Sequence, residues 1–110
     1  MTNTPNESAP VYSAFGSDPD LGPLVELYVS EMPDRIRSLE EAYASRNWED
    51  LRRVAHQMKG SAGSYGFDDL TPLAYAVEVA ARQGDDETAI TEALTELLRV
   101  CRSLRAGSPA

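Results

Sequence analysis

Between Leu21 and Leu104 the apolar residues recur at intervals of three and four, and no stretch sustains a period of two. That rhythm confines the chain to helices packed on one another, since strands would need alternating runs closed by hairpin turns. Asp18 suits an N-cap and Pro19 a first helical position, and Leu21, Leu24, Val25 and Tyr28 follow at helical spacing. This first helix should be short and stop before Pro33, because the residue before a proline is biased away from helix. A kinked continuation through Pro33 is the alternative. A second helix is expected over 33–45, with Ile36, Leu39 and Tyr43 inward. A third spans 48–64 on Leu51, Val54, Met58, Ala62 and Tyr65, with Gly66 as its stop. A fourth opens near Asp68 or Asp69, turns Leu70, Leu73, Ala74, Val77 and Ala81 inward and ends at Gly84. A fifth starts near Asp85 or Asp86 and reaches about Arg105 on Ile90, Leu94, Leu97, Cys101 and Leu104.

Short connections between amphipathic helices favour antiparallel neighbours. The expected fold is therefore all-α: an antiparallel up-and-down four-helix bundle made by the second to fifth helices, with a short additional N-terminal helix over one end. The bundle domain would cover 18–105, between a flexible N-terminal tail over 1–17 and a C-terminal tail over 106–110. A chain of 110 residues can bury such a core without a staple. Monomer is the expected state.

Composition removes several function classes. With 18 acidic and 10 basic residues the formal charge is −8, which argues against nucleic-acid binding. The single cysteine, Cys101, excludes a disulfide framework and fits a reducing, cytoplasmic setting. Residues 1–17 lack the basic start and apolar run of a signal peptide, and no apolar stretch approaches the roughly 20 residues that span a bilayer. The chain also has one histidine, His56, and one lysine, Lys59, too few for a zinc site of His and Cys. No metal and no cofactor are expected on this chain.

On a wheel of about 100° per residue, His56 points away from the stripe of the third helix, with Val54, Met58 and Tyr65 within about 20° of the opposite side. Its outer-face neighbours are Arg52, Arg53, Lys59, Gly60 and Gly63. Each glycine costs about 1 kcal/mol relative to alanine inside a helix. One use that offsets the cost is to let another surface descend onto the imidazole. The cations form a basic stripe on an acidic protein. A neutral imidazole beside a cation, with open space above, suits acceptance of a phosphoryl group, and Lys59 would balance charge on its oxygens. No carboxylate is obviously paired with His56 in the sequence, and no phosphate loop for ATP is present.

The run Ala55–Gly66, AHQMKGSAGSYG, resembles the signature of histidine-containing phosphotransfer (HPt) domains, H-x-x-K-G followed by small residues and a glycine. Leu70 and Leu73 sit where that family opens its next helix with apolar residues, Glu78 falls at a Leu-Glu-like position with Val77 in place of the leucine, and Gly84-Asp85 is family-like too. The resemblance covers about Leu21 to Leu104. It implies a phosphorelay carrier without ATP-dependent kinase activity of its own. His56 would take a phosphoryl group, on Nε2, from the aspartate of a receiver domain and pass it to another receiver. It also implies Lys59 as the family's cation. The partner-binding face would comprise Arg52, Arg53, Gln57, Gly60, Gly63 and Ser64. The partners would be response-regulator receiver domains or a hybrid sensor histidine kinase, and Mg²⁺ would belong to the receiver. Tyr65 departs from the family, which more often has an aliphatic residue there.

Blander readings exist for each feature. A lone helix histidine is more often a surface or packing residue than a functional one. Gly60 and Gly63 could serve close helix packing, and GSAGSYG could cradle an anion as a loop. Arg52 and Arg53 could simply pair with Glu49 or Asp50. A helical adaptor that binds receivers without being phosphorylated, or that dimerises, is the alternative function. An enzyme using His56 would need a pocket and an orienting acid, for which no candidate stands out.

Overall fold

A computed structural model describes residues 9–109 of the chain. Four helices carry the described residues: α1 (Gly22–Ala44), α2 (Trp48–Ser64), α3 (Leu70–Gln83) and α4 (Glu87–Cys101). Two short strands, β1 (Val11–Tyr12) and β2 (Leu104–Arg105), pair in parallel, with Val11 opposite Leu104 and Tyr12 opposite Arg105. The helices pack in chain order, α1 on α2, α2 on α3 and α3 on α4, and α2 with α3 is the most extensive pair.

The largest departure from expectation is at Pro33. The short first helix and the second are one element, so among the described residues no additional N-terminal helix sits over the bundle. The reason is phase. Val25, Tyr28, Met32, Leu39 and Ala42 form one buried stripe that stays in register across the proline. An interior proline costs about 3 kcal/mol, and burying side chains such as Met32 and Leu39, one on each side, returns about 1.5–3 kcal/mol each. Pro33 itself is exposed, which puts the interrupted hydrogen-bond ladder on the solvent side. Asp18 is not the N-cap of α1, and Pro19 is not its first residue: the helix starts at Gly22 with Leu21 as N-cap and no side-chain cap, while the Asp18 carboxylate accepts from the backbone N–H of Asp20 and Leu21 in the preceding turn. Leu21 and Leu24, expected on the buried face, are exposed.

The third predicted helix is α2 to the residue. Asn47 accepts from the N–H of Asp50 as its N-cap. Gly66 follows its end with a φ of 79°. Asp86 caps α4 through the N–H of Ala89. That helix stops at Cys101 rather than near Arg105, because Leu104 and Arg105 leave it to pair with β1.

That pairing also changes the reading of the N-terminal stretch. The expected flexible tail covered 1–17, of which 1–8 lie outside the described residues, as does Ala110 of the C-terminal tail. From Val11 onward the stretch is a strap seated on the bundle. The Ser13 hydroxyl donates to the carbonyl of Tyr65 at 2.5 Å, the N–H of Ala14 donates to the carbonyl of Gly66 at 3.0 Å, and Phe15 packs against the core. A Cβ on Gly66 would collide with the Ser13 hydroxyl and come within 2.9 Å of the Phe15 ring. Gly66→Ala should therefore lower stability by about 1–3 kcal/mol through its positive φ and the displaced strap. Urea denaturation checks this, with Gly60→Ala, which meets open space, as a control that should not destabilise.

Candidate functional site

His56 stands in the middle of α2 on the side away from Leu51, Val54 and Met58, and its side chain is 59% exposed. Its ring is anchored. Nδ1 lies 2.9 Å from Oε2 of Glu78, on α3. The carboxylate that is not obvious in the sequence around His56 is therefore supplied by the neighbouring helix. Glu78 is 4% exposed, and its other oxygen, Oε1, meets the Lys59 ammonium at 2.8 Å. Arg82, one turn further along α3, reaches Oε2 at 3.2 Å. Lys59 and then His56 hold the Glu78 carboxyl down to about 2, against burial, which pushes it up.

This arrangement fixes the tautomer of the neutral imidazole. An ionised carboxylate only accepts hydrogen bonds, so in the neutral ring the proton sits on Nδ1 and Nε2 keeps its lone pair. The wheel finds the exposed side of His56 but not this partner, since Glu78 lies 22 positions away on another helix. The signal available in the sequence was the placement of Glu78 within α3, and it becomes legible only once α2 and α3 are set side by side.

Lys59 faces Glu78 rather than standing free, and its ammonium also lies 5.0 Å from the centre of the Tyr75 ring. Gly60 has nothing within 4 Å of where a Cβ would lie, so the space beside His56 is open there. Gly63 is less open, with Asp68 Oδ1 3.7 Å from its virtual Cβ. Gln57 and Ser64 are exposed, and Gln57 lines a polar groove of about 480 Å³ between α1 and α2 with Arg35 and Arg53. The basic stripe is largely compensated: Arg52 pairs with Glu49 and Arg53 with Asp50, one turn back on the same helix. Long-range attraction of an acidic partner by these arginines is correspondingly weakened.

Tyr65, the residue that departs from the resemblance, closes the end of α2. Its ring stacks on Tyr28 of α1 with centroids 4.5 Å apart, and the Tyr28 hydroxyl shares a hydrogen bond of 2.9 Å with Ser61. Among the described residues no cluster of His, Cys, Asp and Glu could hold a metal ion, and no helix is long and apolar enough to cross a membrane.

The sign of the Glu78 contribution is set by its depressed value. A carboxyl held below its ordinary 4.5 adds stability above that pH, and the contribution is lost as pH falls toward about 2. Urea midpoints should accordingly fall from pH 5 to pH 2.5 in the native chain. Glu78→Gln should lower the midpoint at pH 5 and flatten that slope. An equal slope in both proteins would mean that Glu78 is not held in its ionised form.

Comparison with known proteins meets this geometry from another direction. Residues 23–107 match the Hpt domain family. Phosphorelay protein LuxU of Vibrio vulnificus is 32% identical over 77 residues, covering 68% of this chain and 67% of that protein. Phosphorelay protein LuxU of Vibrio harveyi is 30% identical over 90 residues, covering 80% and 78%. Among solved structures none matches significantly. The chain belongs to the Hpt domain family.

Proposed function

We propose that this member of the Hpt domain family is a phosphorelay carrier, which accepts a phosphoryl group on His56 from a receiver-domain aspartate and passes it to another receiver. The observation that carries the reading is the Nδ1–H bond to Glu78, which leaves Nε2 nucleophilic on an exposed ring beside the open space at Gly60. The two LuxU relatives, named as phosphorelay proteins, support it.

The chemistry balances on this chain's own groups. Nε2 gives its lone pair to phosphorus, and the P–O bond to the donor aspartate breaks, returning that electron pair to a carboxylate. No proton has to leave Nδ1, so the ring becomes positively charged as the bond forms. The ionised Glu78 lies 2.9 Å from Nδ1 to stabilise that charge. Lys59 is the cation within reach of the phosphoryl oxygens. Mg²⁺ belongs to the receiver in this reading, and the chain carries no kinase activity of its own. Connections of three, five and three residues between the helices support an antiparallel, up-and-down order, and in this reading the bundle acts as a monomer.

Mixing the purified chain with a phosphorylated receiver domain and Mg²⁺ tests the reading by intact mass and site mapping. One acid-labile phosphoryl adduct on His56, absent in His56→Gln, is the expected outcome. Binding without an adduct across a panel of receivers would make the chain an adaptor instead. Lys59→Ala should slow transfer by about tenfold or more while leaving receiver affinity within a few-fold. Gly60→Leu should fold normally, since its Cβ meets nothing, yet abolish docking. A normal receiver affinity in that variant would remove Gly60 from the interface.

A further inference from the structure

One cation of the site has no part in the transfer described so far. Arg82 lies in the last turn of α3 with its side chain 56% exposed, and brings Nη2 to 3.2 Å from Glu78 Oε2, the oxygen that also accepts from His56. Lys59 meanwhile is committed to the other oxygen at 2.8 Å. To stabilise a phosphoryl group on His56, the Lys59 ammonium must turn from Glu78 to the phosphoryl oxygens. Turning away would take one cation from a carboxylate only 4% exposed, leaving it to the charge on the phosphorylated ring and to Arg82, and a buried carboxylate that loses counter-charge is disfavoured. Arg82 is already in place and does not have to move.

Resting on the carrier reading, we infer that Arg82 is a positioning residue for phosphoryl transfer: it keeps Glu78 compensated while Lys59 shifts from the carboxylate to the phosphoryl group. Arg82 touches neither the phosphoryl group nor the imidazole in this arrangement and acts through Glu78. The groups facing the His56–Glu78 pair are Lys59 and Arg52 from α2, and Tyr75 and Arg82 from α3. Arg52 is mainly held by Glu49, with Glu78 a weaker influence. A cation in the last turn of a helix also suits the helix dipole. That role alone would alter stability without touching His56 or depending on Lys59.

Two measurements separate these roles: the rate of phosphoryl transfer from a phosphorylated receiver to His56, and the titration of the His56 ring followed by NMR in the unphosphorylated chain. Arg82→Gln should slow transfer roughly fivefold in the native background and have little further effect in Lys59→Ala, because the two residues serve one step. It should also move the His56 titration to higher pH, since Glu78, with one cation fewer, attracts the imidazolium more strongly. Arg82→Lys should restore both. Equal slowing in the two backgrounds, unchanged transfer in the native one, or an unmoved titration would overturn the proposal. Failure of the carrier reading is distinguishable, because the unsubstituted chain would then take no phosphoryl group on His56 from any receiver.

Discussion

A carboxylate buried between two helices must be compensated by charge or carry a proton, and much of this site's geometry follows from how Glu78 is compensated. Its partners come from both sides of the α2–α3 contact: His56 and Lys59 from α2, Arg82 from α3 itself. The two helices also bury small side chains, with Ala55 and Ala62 of α2 and Ala74 of α3 wholly buried. Alanines let helix axes approach at the short end of the usual 8–10 Å, which brings Glu78 within hydrogen-bond reach of an imidazole on the outer face. Packing and chemistry are therefore one arrangement: the interface that buries the core also sets the tautomer of the histidine.

The helix that carries the site was almost fully legible in the sequence. Asn47 and Gly66 are strong local signals, and the stripe between them has a single phase. Pro33 was not legible, because the bias before a proline is local, whereas the in-phase burial of Met32 and Leu39 is decided by the whole bundle. The β1–β2 pair was not legible either, since two residues on each side give no period to detect. At the site, the exposure of His56 follows from one helix, while its bond to Glu78 depends on how two helices are placed. The pairing of Arg52 with Glu49 and of Arg53 with Asp50 was within reach of spacing arguments, and the structure shows both pairs.

The two glycines beside His56 divide in a way that composition could not reveal. Gly60 faces open space, while Gly63 has the Asp68 carboxylate nearby. Smallness at the first leaves access to the imidazole. Smallness at the second leaves room for a side chain of this same protein, so the acidic rim of the α2–α3 turn reaches the face that bears His56.

The parallel pairing of Val11–Tyr12 with Leu104–Arg105 also bears on how the molecule is made. On the ribosome β1 emerges before the four described helices, and its partner only after them. The helices, joined in chain order by short loops, can assemble while the chain is still growing. The strap has no partner strand until Leu104 and Arg105 have emerged. The strand pair is thus the part of the strap that closes last, whereas its bonds to Tyr65 and Gly66 need only the end of α2, and a chain arrested or truncated before Leu104 would present its bundle without that pair.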